Sequence, residues 1–436
     1  MKKLLLVLAL LCAAAMAFLG YEQLSAKSSF GPAAVIGFVV LGAFLAFTVV
    51  SWLLHDTPHR RTVGGIWIAG VTTVVFFLIA DALVGYILIK PLSPALVPDE
   101  FRHHKLLADS YSTIQQKDFS YTQRVNKLGL RGAETSVKKP AGVFRILTLG
   151  DSFTMGKGVP DGETYSVFLE ALLNQTPGGT CKWPTFEVLN GGVDSYAPVL
   201  SNIELQRDLA SLEPDLIIHS LDIGDLVQEA AYRSEAVYTS DGAVLKVPSI
   251  GRAVSATDRV RNWIDQHLFF TRALLYYASK YLGGDEVTIR TVATQANREL
   301  VAHTLAGDPQ PRDAQWRDVF ASIDSIRAFA ATHDGGYVLG IYPWGHQVSP
   351  REWVPGRYAY LSKDDTVSDQ SLVTIREMSA ERGIDLADMY PRFRAYAGTE
   401  KLYFEYDNHW TRAGHRLMAE GLADHLRQRY GAAWCD

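Results

Sequence analysis

From about residue 143 onward, short apolar runs alternate with helix-like segments, and this alternation leaves the chain few folds to choose from. Residues 144–149 read as a strand, and 164–174 as a helix with Tyr165, Phe168, Leu169 and Leu172 on one face. Residues 186–189, 215–223, 337–342 and 384–386 read as further strands, and 199–212 and 413–430 as helices. Strands separated by helices imply an α/β domain with a parallel sheet covered on both faces. Residues 230–330 break the rhythm. A hairpin is expected over 237–247, where Asp241-Gly242 favours a tight turn. A largely helical, aromatic stretch follows to about 305, readable as a lid over the substrate, as an ordinary helical cap, or as a surface resting on a membrane anchor.

The first ninety residues are of another kind. Residues 4–21, 30–54 and 62–80 carry no charge, and each run is long enough for a membrane helix. The third is expected to continue through Asp81 to 89. The domain reading is therefore an anchor over 1–90 with three transmembrane helices, a linker and lead-in over 91–142, and an α/β domain over 143–430 carrying the insertion at 230–330. Pro91, Pro94 and Pro98 argue against helix in the linker. Lys2, Lys3 and His59-Arg60-Arg61 mark the cytoplasmic side, so the large domain is expected outside a bacterial-type inner membrane, in the periplasm. Lys2-Lys3 and Ala15-Met16-Ala17 also fit a cleavable signal peptide, which would remove the first span and leave that destination unchanged. Cys12 follows Leu11 rather than a small residue, which argues against a lipoprotein site. Asp81 reads either as a contact for a membrane partner or proton path, or as an acid near the outer interface.

The net charge of −5 over 436 residues comes without a lysine or arginine cluster, which argues against nucleic acid as a partner. Of the three cysteines, Cys181 and Cys435 fall in the exported part, where a disulfide between them is permitted and their pairing stays open.

The strand at 144–149 ends in Gly150-Asp151-Ser152, with glycines at 156 and 158. Such a run sets a serine hydroxyl at the carboxyl end of a buried strand, where open α/β sheets keep their active sites. A serine nucleophile needs a base, an acid that orients the base, and donors for an oxyanion. His409, just before the last helix, is the best base, and Asp407, two residues earlier, the acid that fixes its tautomer. His219 reads as a core histidine, His415 as a residue shaping the last helix, and Asp151 as a brace for the serine turn. Trp344 and His346 sit where substrate could bind. His55, His59 and His103-His104 lack companion ligands, so no metal and no cofactor is expected.

Gly-Asp-Ser and Asp-x-His are each weak patterns alone. Placed at opposite ends of an alternating α/β domain, they resemble the SGNH (GDSL-type) hydrolase superfamily, over about residues 119–430. Gly150-Asp151-Ser152-Phe153-Thr154 matches its first block and Val188-Leu189-Asn190-Gly191-Gly192-Val193 its second. Asp407-Asn408-His409-Trp410 through Gly414-His415 matches its last, and the run from Arg124 to Arg131 is similar to a lead-in of exported members. The resemblance implies a flavodoxin-like three-layer sandwich, with an oxyanion hole built from the amides of Ser152 and Gly192. The third block departs from the pattern, because Gly224 stands where the family places an asparagine that donates to the oxyanion. The open choices are the amides of Ser152 and Gly192 with a water, Gly224 itself, or another side chain. Losing such a donor typically costs about 10²–10³-fold in turnover.

The function implied is a membrane-anchored envelope serine esterase working through an acyl-enzyme, with an ester-bearing substrate such as an acetylated glycan. One alternative is an O-acyltransferase that modifies an envelope or exported polysaccharide, with a membrane acyltransferase partner delivering the acyl group. Another is a catalytically weak or inactive SGNH-fold protein that binds glycan or scaffolds an export assembly.

Overall fold

A computed structural model describes residues 6, 7, 10, 45–53, 57–81, 95–175, 182–183, 185–249, 268, 271, 298–308 and 312–434. The chain divides into two units, Met1–Pro94 with Gly251–Thr288, and Ala95–Ile250 with Ile289–Asp436. In the first unit, residues 45–53 are helical and helix α1 runs over Arg60–Ala80. Among the described residues no helix is long and apolar enough to cross a membrane. Most of the expected spans at 4–21 and 30–54, residues 82–89 of the third, and Cys181 and Cys435 lie outside the described residues. Asp81 is buried and accepts hydrogen bonds from the amide and hydroxyl of Thr271 in the same unit, at 2.9 and 3.2 Å.

The second unit opens with two antiparallel hairpins, β1 (Leu96–Pro98) with β2 (His104–Leu106), and β3 (Ser110–Gln115) with β4 (Ser120–Val125). There follow β5 (Val143–Gly150), α2 (Ser152–Met155), α3 (Tyr165–Asn174), β6 (Thr185–Gly192), α4 (Pro198–Glu204), β7 (Leu216–Leu221) and α5 (Asp225–Ser234). A third hairpin, β8 (Val237–Tyr238) with β9 (Val244–Lys246), precedes α6 (Glu299–Ala302) and α7 (Asp313–Thr332). The chain closes with β10 (Gly336–Ile341), α8 (Gly345–Val348), α9 (Gln370–Glu381), β11 (Leu386–Asp388), α10 (Tyr390–Arg394) and α11 (Arg412–Trp434).

Five parallel strands form the sheet, in the order β6-β5-β7-β10-β11. Successive side chains in a strand point to opposite faces, and the core divides accordingly. Ile146, Ile218 and Val338 pack on one side with Leu169 of α3 and Met418 and Leu422 of α11. Leu147, Ile217 and Leu339 pack on the other with Phe320 and Ile323 of α7 and Ile375 of α9. The result is a helix–sheet–helix sandwich. From β5 the chain steps outward to β6, then returns to place β7 on the other flank of β5. That reversal opens a crevice at the carboxyl ends of β5 and β7, where such sheets bind ligands.

Three expectations differ from this architecture. Residues 95–125, expected as linker and lead-in, form hairpins whose Leu106 and Val125 pack with Met155, Val193 and Tyr196. The expected insertion at 230–330 is divided: 251–288 group with the first unit, whereas α7 belongs to the sandwich. The reason lies in its stripe of Trp316, Val319, Phe320, Ile323, Ile326 and Ala330, which seals one face of the sheet. The single helix expected over 199–212 is α4 followed by a wide turn over Leu205–Leu209 and a tight one over Ala210–Leu212. It ends at Glu213, in left-handed conformation before Pro214, because a residue preceding proline is driven out of the helical region.

Candidate active site

The turn after β5 is built to present one hydroxyl. Gly150 has φ +148, and a Cβ there would lie 2.4 Å from Thr154 Oγ1, so only glycine closes this turn. Asp151 then caps α2, accepting the amide of Phe153 at 2.9 Å and the hydroxyl of Tyr342 at 3.1 Å. This is the bracing role expected for it. Ser152 follows at the first position of the helix.

The loop before α11 brings the partners. Trp410 is fully buried against Phe153, Tyr342 and Phe393, which anchors the segment beside the Ser152 turn. Asp118, in the β3–β4 turn, accepts the amides of Tyr406 and Asp407, each at 2.7 Å. His409 Nε2 lies 2.6 Å from Ser152 Oγ. Asp407 Oδ1 accepts both the His409 amide at 3.0 Å and a short hydrogen bond from Nδ1 of the ring. A carboxylate on Nδ1 places the neutral ring's lone pair on Nε2, facing the serine hydroxyl. Burial alone would raise the Asp407 carboxyl, but the His409 ring and the nearby Lys157 outweigh it and hold the group well below the usual carboxylate range.

A cavity of about 170 Å³ opens over these residues, lined also by Lys157, Asp194, Ser195, Gln228, Trp344, Tyr360 and Asn408. Lys157 pairs with Asp194 at 3.0 Å. Burial pushes the Asp151, Asp222 and Asp225 carboxyls upward, and their mutual proximity adds to it for Asp151 and Asp225. Trp344 Nε1 donates to Asp222 Oδ2 at 2.7 Å. His346 is buried against Thr304 and does not line the cavity. Among the described residues no group of three or more histidines, cysteines or acids is arranged to hold a metal ion.

Two expected oxyanion positions are corrected. The Gly192 amide donates to Asn190 Oδ1 at 3.0 Å, and a Cβ there would lie 2.2 Å from the Met155 amide nitrogen. This glycine lets β6 pack against α2 and does not line the cavity. Gly224 sits before α5 against the Asp222 carboxylate, and it too is absent from the lining.

The wall is formed instead by Ser195, at φ +62, three residues beyond the glycine the motif points to. Its carbonyl is held by Tyr232 Oη at 2.8 Å, and that of Asp194 by His104 Nε2 at 2.6 Å. A carbonyl only accepts, so His104 carries its proton on Nε2 and accepts on Nδ1 from His103 Nδ1, 2.8 Å away. In this arrangement the His104 ring is neutral. Burial accounts for this, lowering His103 to about 3 and His104 to about 4. His104 thus fixes the peptide plane between Asp194 and Ser195. No local signal marked His103-His104 for this role, because their partner lies ninety residues away.

Residues 342–434, which include Asp407 and His409, match the family model described as the SGNH hydrolase-like domain of acetyltransferase AlgX. No curated protein matches the chain. Among solved structures, the chain is similar to a member of the lipolytic protein G-D-S-L family from Veillonella parvula, with 13% identity over 64% of this chain and 96% of that one, at a TM-score of 0.33. A catalytic mutant of an acetylxylan esterase from Geobacillus stearothermophilus gives 13% identity over 65% of this chain and 93% of that one, at a TM-score of 0.31. A two-domain esterase active on acetylated mannans gives 12% identity over 67% of this chain and 51% of that one, at a TM-score of 0.32.

Proposed function

We propose that this SGNH hydrolase-like protein is a serine esterase that removes a small acyl group, acetyl by preference, from a glycan. The observation that carries the proposal is Ser152 Oγ at 2.6 Å from His409 Nε2, with Asp407 behind the ring. His409 takes the hydroxyl proton as Oγ attacks the ester carbonyl, and Asp407 stabilises the imidazolium. The tetrahedral intermediate collapses, His409 returns the proton to the departing sugar oxygen, and water repeats the sequence on the acyl-enzyme. The cavity walls support a polar substrate with a short acyl group. Asn408 and the Lys157–Asp194 pair give the cavity a polar wall, whereas Leu300, Trp344 and Tyr360 offer too little apolar wall for a long chain.

A fluorophosphonate probe is expected to label the Ser152 peptide stoichiometrically, and the protein to release acetate from an acetylated oligosaccharide. Ser152→Ala is expected to do neither. Acetate release at the native rate from that variant would remove Ser152 from the chemistry.

The family match, whose description names an acetyltransferase, favours a second reading in which a sugar hydroxyl replaces water and a membrane acyltransferase partner supplies the acyl group. Acetyl recovered on an added acceptor oligosaccharide rather than as free acetate distinguishes it.

The uncharged runs and their basic flanks support an anchor over residues 1–90, with the α/β unit on the periplasmic side. Protease added to intact spheroplasts is then expected to digest the α/β unit. Digestion only after lysis would place that unit in the cytoplasm.

A further inference from the structure

We propose that Gln228 supplies the oxyanion donor that the chain lacks at Gly224; the inference rests on the acyl-enzyme reading above. The two positions are one helical turn apart at the start of α5, joined by the bond from the Gln228 amide to the Gly224 carbonyl at 3.1 Å. Residues four apart share a helix face, so a side chain at 228 serves the same side as one at 224. The site at Gly224 is crowded. A Cβ there would lie 3.0 Å from Asp222 Oδ1 and 3.3 Å from the Trp344 ring. Glutamine, one methylene longer than asparagine, reaches from the next turn without entering that space.

Gln228 is 6% exposed, lines the cavity that contains Ser152 and His409, and its Oε1 is buried with no hydrogen-bond partner. A buried polar atom left unpaired costs about 1–3 kcal/mol, so an amide kept in this state beside a nucleophile calls for a ligand. Rotation of the carboxamide exchanges its oxygen and nitrogen, and the N–H end is the one an oxyanion accepts.

The carboxylates of the cavity and Lys157 are committed elsewhere. Asp222 accepts from Trp344 and from the Asp225 amide. Asp194 is paired with Lys157, and Asp407 with His409. Asn408, the cavity's other carboxamide, is only half-buried and belongs to the loop that carries the base.

The test compares acetyl-ester turnover in the full chain for the native protein, Gln228→Ala, Gln228→Glu, Asn408→Ala and Ser152→Ala. Gln228→Ala is expected to lower kcat by about 10²–10³-fold with KM within a few-fold, as for loss of one oxyanion donor. Gln228→Glu keeps the shape but donates only when protonated. Its rate relative to the native protein is expected to rise as pH falls, which loss of packing would not produce. A native kcat in Gln228→Ala, a loss confined to KM, or a flat relative pH profile in Gln228→Glu would overturn the proposal. So would a loss of that size in Asn408→Ala with Gln228→Ala unaffected. Native turnover in Ser152→Ala would instead overturn the acyl-enzyme reading itself.

Discussion

Replacing Asp407 by asparagine is expected to lower kcat about 10⁴-fold while leaving KM within a few-fold and the fold intact. The side chains are nearly isosteric, so the contact to the His409 amide at 3.0 Å survives if the amide oxygen keeps the place of Oδ1. What disappears is the negative charge behind the ring. In the native site that charge is secure, since His409 and Lys157 hold the Asp407 carboxyl ionised well below neutral pH despite its burial. When Nε2 takes the Ser152 proton, the imidazolium would meet a neutral dipole instead. An asparagine turned to donate toward Nδ1 does further harm. It drives the ring proton onto Nε2, which then faces Ser152 Oγ as a donor and cannot act as a base. The measurement is steady-state kinetics on an acetyl ester beside the rate of fluorophosphonate labelling, and both are expected to fall together. A loss below tenfold would mean that Asp407 neither orients nor charges the base.

What was legible in the sequence follows from how local each feature is. Ser152 could be read because the apolar run of β5, the glycine that turns it and the capping aspartate are contiguous. Asp407 and His409 could be read as a pair because a single residue separates them. That they meet Ser152 across 257 positions depends on the alternation of strands and helices, which the apolar pattern carries. The wall opposite was not legible. Gly191 and Gly192 look like the oxyanion turn of the second block, yet they are the end of β6, where Gly191 lies against β5 and Gly192 approaches α2 too closely for a Cβ. The left-handed turn falls at Ser195, whose conformation is set by His104 and Tyr232 from separate elements. Gln228 escaped for the same reason. A block-by-block reading looks for the missing donor at position 224, whereas the helix brings a replacement from one turn further on.

The lead-in before β5 shows what distant support is worth, and Arg131→Met is expected to destabilise the second unit by about 3–5 kcal/mol, the range for removing one partner of a buried charge network. The Arg131 side chain is 1% exposed. It donates to the carbonyls of Met155 at 2.7 Å, Gly156 and Val159, and pairs with Asp161 at 3.1 Å. Those carbonyls belong to the turn that ends α2 and leads away from the nucleophile. α2 is only four residues long, so its own backbone bonds cannot hold that turn. Methionine fills much of the same volume but offers no donor, leaving the Val159 carbonyl without the arginine and those of Met155 and Gly156 with only long bonds, from Asn190 Nδ2 at 3.4 Å and the Val159 amide at 3.3 Å. Each carbonyl left unpaired costs about 1–3 kcal/mol, with relaxation and entering water offsetting part of it. Equilibrium denaturation gives the total. Hydrogen exchange is expected to show the loss of protection concentrated in residues 153–161. Lys157 sits in that turn, so its pairing with Asp194 loosens as well, and kcat falls with stability. A change under about 1 kcal/mol, or protection lost evenly across the sheet, would show that the turn is held by its glycines and cap alone. The larger loss, confined to this turn, would mean that the nucleophile's position is fixed from outside the sandwich, by an arginine twenty-one residues before it in the chain.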